Sequence, residues 1–218
     1  FYSRLSQNKK IYQCFSDVYA AQQKQLLSQE RKKYLENELR DYRLSGVDLG
    51  EREQNRYQEL SERLASLSAK FSDNVLDATD DYVLNVEEGN RLEGLPDAIL
   101  SEAKVKANSL DQEGWSFTLK APCWIPFMES CVDRSLREKM YYAYVTRASE
   151  CGKDEFDNST TIIEILSARH EKSKLLGFDS FAHLSFATKM AVEPQRALDL
   201  LKQLSDRARS RAVSEFEM

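Results

Sequence analysis

The chain has 218 residues, of which 7 are Gly and 4 are Pro, about 5% where roughly 12% is ordinary. Turns draw heavily on those two residues, so long helices are predicted and collagen-like, linker-rich and many-stranded all-β classes are excluded. Hydrophobic residues at 41%, charged residues at 31% and a net charge of −5 describe a core under a charged surface, and no run approaches the roughly 18 apolar residues of a membrane helix.

A first helix is predicted over 8–43. Ile11, Phe15, Val18, Gln22 and Leu26 recur at three- and four-residue spacing, and Leu35, Leu39 and Tyr42 continue the stripe past a polar centre at 22–33. Leu44-Ser45-Gly46-Val47-Asp48-Leu49-Gly50 ends it, and Asp48 with Glu51 has the spacing of a capping box. A second helix over 51–79 carries Tyr57, Leu60, Leu64, Leu67, Phe71, Val75 and Ala78 on one face. The two would be on the order of 45–50 Å long, and their short connection implies an antiparallel pair.

The period then changes. Residues 82–86 read as a short strand. Leu95-Pro96 opens a helix over 97–109, with Pro at its first position, and Trp115, Phe117 and Leu119 alternate with polar residues as a half-buried strand. Pro122 and Pro126 bracket Cys123-Trp124-Ile125 and forbid a central strand there. One small β element therefore interrupts the helices. Helices resume over 133–149, with Leu136, Met140, Tyr144 and Val145 as apolar positions. Another follows from Asn158 or Ser159 with Ile162, Ile163, Ile165 and Leu166, closed by Gly177 in the position after the helix end. A shorter helix over 180–189 presents Phe181, Leu184 and Ala187, and Pro194 begins the last.

Candidate chemistry is sparse. His170-Glu171-Lys172-Ser173-Lys174 resembles the metal-binding His-Glu-x-x-His pattern, in which a four-residue step puts two imidazoles on one helix face. Its fifth position is Lys174. A cation cannot replace the second imidazole, so His170 is read as a packed or interface residue continuing the stripe Ile163, Leu166. His183 is read as a surface or capping residue. The acidic run Asp73, Asp77, Asp80 and Asp81 lacks an accompanying His or a calcium-loop glycine and is read as a solvated helix end. Lys139, Tyr141, Tyr142 and Tyr144 form a basic-aromatic cluster that helical geometry spreads around the axis, so no nucleic-acid partner is expected. No nucleophile elbow, phosphate-cradling loop or dinucleotide fingerprint occurs. The expected site assignment is therefore none: no catalytic, no cofactor-binding and no metal-ligating residue.

Cys14, Cys123, Cys131 and Cys151 contain no Cys-x-x-Cys pair, and the chain has 2 His, so a zinc cage is hard to assemble. A reduced, cytoplasmic protein is expected; disulfides in a secreted helical domain are the lesser alternative. Phe1-Tyr2-Ser3-Arg4 has no signal-peptide layout. The chain reads as cut at both ends, starting without Met and ending at Met218 within a helical pattern.

Three blocks stand out: RDYRLSGVDLGEREQNRYQELSERLASLSAKFSDNVLDAT (Arg40 to Thr79), GWSFTLKAPCWIPFMESCVDRSLREKMYYAYVTRAS (Gly114 to Ser149) and FDNSTTIIEILSARHEKSKLLGFDSFAHLSFATKMA (Phe156 to Ala191). All three resemble one family, the thimet oligopeptidase/oligopeptidase A group of zinc metallopeptidases. They arrive in the family's order, and bacterial oligopeptidase A-like members look nearer than the dipeptidyl carboxypeptidase branch. Ser167-Ala168 departs from the family's usual, more apolar pair.

The resemblance implies a mainly α fold of long antiparallel helices with one small β element, part of a channel that admits short unfolded peptides. It also implies zinc in the full-length parent, held by a His-Glu-x-x-His motif and a downstream Glu. That motif lies C-terminal of the matched region, so no catalytic residue carries over and this piece is expected to be inactive and free of zinc. The expected organisation is a long helix pair over 1–80, a mixed α/β segment over 81–130 and a helical segment over 131–218. A stand-alone helical adaptor is the alternative reading. No membrane partner is expected; a dimer of the isolated piece would be an artefact of Leu201, Leu204 and Phe216 if they are exposed.

Overall fold

The computed structural model describes residues 7–21 and 28–217, which fall into two compact units: one takes the chain up to Leu64 together with Leu166 onward, the other is Ala65–Ile165. The fold is mainly α with a single two-stranded sheet.

In the first unit, α1 (Lys9–Ala21) and α2 (Gln29–Leu44) pair antiparallel. The Tyr42 ring lies 6.0 Å from Tyr12 and 5.8 Å from Phe15, and Tyr19 Oη donates to Glu36 Oε1 at 3.4 Å. The single helix expected over 8–43 is thus two. The Ser28 hydroxyl accepts from the Arg31 N–H and starts α2 afresh, as serine at an N-cap does. Leu35, Leu39 and Tyr42 are buried as the stripe predicts, whereas Val18 is exposed; Gln22 and Leu26 lie outside the described residues.

The long helix α3 (Glu51–Asp81) starts where predicted, but Gly50 and not Asp48 takes the cap position, its carbonyl accepting from the Gln54 N–H at 2.8 Å. Glu53 reaches back to the Gly50 N–H at 3.2 Å, while Asp48 faces Arg43 at 3.6 Å. Glycine has no side chain to complete the reciprocal half of such a box. Leu60 and Ala78 of the predicted face are buried, Tyr57, Leu64, Leu67 and Val75 are half-buried, and Phe71 is exposed.

In the second unit, β1 (Val83–Val86) and β2 (Trp115–Thr118) form an antiparallel ladder with Leu84 opposite Phe117 and Val86 opposite Trp115. Between them runs α4 (Asp97–Ser109), for which Pro96 is the N-cap residue and not the first helical one. The residues bracketed by prolines form α5 (Ala121–Ser130). Pro122 sits in the first turn, where its missing N–H leaves nothing unpaired, and Pro126 forgoes one internal hydrogen bond. With α6 (Arg134–Thr146) these elements enclose Phe117, Phe127, Leu119, Leu136 and Met140, all at most 1% exposed. The Phe117 and Phe127 rings meet edge to face at 4.8 Å. Of the other apolar positions of this helix, Tyr144 is half-buried and Val145 is 53% exposed.

Asp133 caps α6. Its carboxylate accepts from the Ser135 and Leu136 N–H groups at 2.8 and 3.2 Å, and its other oxygen accepts from Arg91 Nε at 2.8 Å. The Arg91 hydrogen bond first, then that of Ser135, hold the carboxyl well below its ordinary 3.8. A depressed folded value means stabilisation that is complete above the ordinary value and is lost as pH falls through the folded one. Acid denaturation is therefore expected to be shallower in Asp133→Asn than in the parent below about pH 4; parallel acid limbs by circular dichroism would remove Asp133 from the acid response.

The helix α7 (Ser159–Leu175) follows Asn158, whose backbone oxygen accepts from the Ile162 N–H at 2.8 Å. The Asn158 side chain is itself buried, donating to the Phe71 carbonyl and accepting from Asn74. Gly177 follows the helix end with φ +80°, and the next N–H bonds back to the Ser173 carbonyl at 2.9 Å, the arrangement that glycine in this position serves. Then come α8 (Phe181–Phe186) and α9 (Pro194–Phe216). No residue of α9 is buried, and Leu201, Leu204 and Phe216 are exposed.

Candidate functional site

On α7 Thr161, Ile165 and Ala168 are buried on one face of the helix by spacing, and Ser173 is buried near its end. Ile162, Ile163 and Leu166 occupy another face and are exposed, and His170 is exposed beside them. Of the packed or interface expectation for His170, the packed half is thereby corrected: the apolar stripe that His170 continues is not the face this helix buries.

Glu171 and Lys172 face α3 within the first unit. Arg56 grips Glu171 through two parallel N–H donations at 2.6 and 2.9 Å, the bidentate geometry that planar guanidinium favours. The Arg56 hydrogen bond holds the Glu171 carboxyl below its ordinary range. Lys172 Nζ lies 4.4 Å from the Tyr57 ring centre and donates to Ser61 Oγ at 3.0 Å; burial pushes its pKa down. Glu171 and Lys172 are thus engaged in helix-to-helix contacts. His183 belongs to the α8 cap, with Ser180 Oγ accepting from its N–H and 2.9 Å from its Nδ1.

In the second unit, Asp80 pairs with Lys120 at 3.0 Å and Asp81 with Lys153 at 2.6 Å. The end of the acidic run is therefore more than solvated: both carboxylates are tied to lysines. The basic-aromatic cluster separates as helical geometry requires. Tyr141 and Tyr142 are exposed, while Tyr144 stacks on Trp124 with ring centres 4.0 Å apart and planes at 19°. Arg147 lies on the Tyr144 ring, its Cζ 3.7 Å from the centre. Neither Trp124 nor Arg147 is marked by sequence spacing; the stack joins α5 to the end of α6.

Two of the cavities within this unit border its core. One, of about 210 Å³, is lined by Ile99, Ala103, Ser116 and Cys123 among others. Burial pushes the Cys123 thiol up, which suppresses the thiolate needed for nucleophilic attack. The other, of about 240 Å³, lies where Leu119, Ala143, Arg147 and Phe156 converge.

A zinc ion needs three or four nitrogen, sulfur or carboxylate donors converging on one point. Among the described residues no group of three His, Cys, Asp or Glu is so placed. All four cysteines are unpaired, with Cys14 and Cys151 exposed, Cys123 half-buried and Cys131 buried. The donor set does not fit zinc, and no step through a metal is assigned to these residues. Among the described residues no helix is long and apolar enough to cross a membrane.

Comparison with known proteins agrees with the three sequence blocks. Residues 1–54 match the Neurolysin/Thimet oligopeptidase N-terminal domain, and residues 127–218 match Peptidase family M3. Oligopeptidase A of Salmonella typhimurium is 41% identical over 214 residues, covering 97% of this chain and 32% of the relative. The Haemophilus influenzae oligopeptidase A is 42% identical over 98% of this chain and 32% of its own, and that of Escherichia coli is 40% identical over 97% and 32%. The chain thus spans about a third of the length of these relatives. Two ordered family matches, with 41–42% identity over alignments that cover nearly the whole chain, place it in the thimet oligopeptidase/oligopeptidase A family of M3 peptidases.

Proposed function

We propose that this chain is a non-catalytic scaffold portion, N-terminal and middle, of a cytoplasmic zinc-dependent oligopeptidase that hydrolyses short unfolded peptides. The observation that carries the reading is the identity of 40–42% to oligopeptidase A along 97–98% of the chain, over 32% of each relative. Long helices such as α3 suit a wall: 31 residues in regular hydrogen bonding make a rod of about 46 Å, and a rigid wall restricts a substrate to an extended chain. The zinc and its ligands then belong to polypeptide outside these residues.

The test uses the chain as it stands. Purified after growth with added zinc, it is expected to hold far less than one zinc per chain by atomic absorption, and to leave a quenched fluorogenic peptide uncleaved. One tightly held zinc per chain with chelator-sensitive cleavage would overturn the proposal. The parent's activity has its own test in the coding sequence beyond Met218: a His-Glu-x-x-His with a Glu some way downstream supports the peptidase, and an immediate stop favours the adaptor.

A further inference from the structure

The cavity of about 240 Å³ in the second unit has a divided lining. Leu119, Ala78 and Ala148 are buried, and Ala143 is half-buried against the hydrophobic core, so the floor is apolar. The charged lining residues are Asp81, Arg147 and Lys153. Asp81 and Lys153 neutralise each other through their 2.6 Å ion pair. Arg147 is left: among the described residues no carboxylate pairs with it, and its guanidinium is held on the Tyr144 face. Stacking fixes the plane of a guanidinium and leaves its in-plane N–H donors available. A cation held in place, without a counterion and beside an apolar floor, is the arrangement that small-molecule sites use to orient an amphipathic ligand.

We propose that this cavity binds a monocarboxylate with a short apolar body, its carboxylate on Arg147 and its body against Leu119, Ala78 and Ala143. The lining carries one charge in excess, matching a single negative charge, and a planar guanidinium pairs with a planar carboxylate through two parallel hydrogen bonds. Two sources share this chemistry, a free organic acid and the C-terminal carboxylate of a peptide ending in an apolar residue. The proposal does not depend on the peptidase reading, because its readout is binding.

The test is titration calorimetry of the full chain with 3-phenylpropanoate, with 3-phenylpropanamide as the neutral control. The acid is expected to saturate at millimolar concentration or below, and the amide to show no saturable binding. Arg147→Gln should weaken the acid about tenfold, the scale of one lost charge-assisted hydrogen bond, and Arg147→Lys should fall between. Occupancy should also slow labelling of Cys151, which lines the same cavity, in a Cys14→Ser background. Circular dichroism confirms that each variant is folded. A tripeptide ending in phenylalanine, free or amidated at its C-terminus, separates the sources: tighter binding of the free-ended peptide than of the acid assigns the peptide end, and binding of the acid alone assigns the small molecule. Equal binding of acid and amide, indifference to Arg147→Gln, or no saturation by either acid or free-ended peptide would overturn the proposal.

Discussion

Phe127→Ala is expected to destabilise the second unit by about 3–5 kcal/mol, the range for removing a buried aromatic ring. Phe127 is 0% exposed, and its ring meets Phe117, also 0% exposed, at 4.8 Å in an edge-to-face contact. The substitution removes the transfer free energy of the ring and the aromatic pair together. It also leaves a void that neither side of the core is free to fill. Phe127 sits on α5, which Pro122 starts and Pro126 interrupts, while Phe117 is held by the register of the β1–β2 ladder. Urea denaturation read by circular dichroism gives the measurement. A loss below about 1 kcal/mol would mean that the helix collapses into the space, as cavity series allow only where the surroundings can move.

Gly114→Ala is expected to cost about 3 kcal/mol or more, although it adds one methyl group. Two effects coincide. Gly114 has φ +83°, a conformation that costs an L side chain on the order of 1–3 kcal/mol. Its added Cβ would also strike the Val86 carbonyl and the Glu87 Cα, backbone atoms at the end of β1 that cannot rotate away. Overpacking of this kind costs a further 1–3 kcal/mol or so. Gly50→Ala is the matched control, since its Cβ would meet only the Glu53 carboxylate at 3.6 Å. Equal denaturation midpoints for the two variants would show that this end of the sheet has room to shift.

Local signals were legible where they sit close together in the chain. The span Asp97–Ser109, the glycine stop at Gly177 and the strand at Trp115–Thr118 all carry their cause within a few residues, although Ser116 of that strand is buried where alternation would expose it. The division of the first helical pattern was not legible, because Leu35 resumes the three-four spacing and conceals the new start at Ser28. Helix α7 fails differently. Ile162, Ile163 and Leu166 are as apolar as Ile165 and Ala168, so hydropathy alone cannot choose the face that is buried; the polar Thr161 lies on the buried one. The Arg147 stack and its cavity draw on residues from Ala78 to Phe156, and no spacing rule spans that distance. The assignment to a peptidase family came from long ordered blocks, which encode the scaffold and do not need catalytic groups to be recognised.

The placement of the two tryptophans has a spectroscopic consequence. Trp115 lies beneath Lys104, with Nζ 4.9 Å from its ring, and Trp124 lies against Tyr144; both belong to the Ala65–Ile165 unit, and the other unit contains no indole. Emission excited at the red edge therefore follows only the sheet-bearing unit during a melt. The far-ultraviolet helical signal follows both, so comparing the two curves shows whether the units lose their order together.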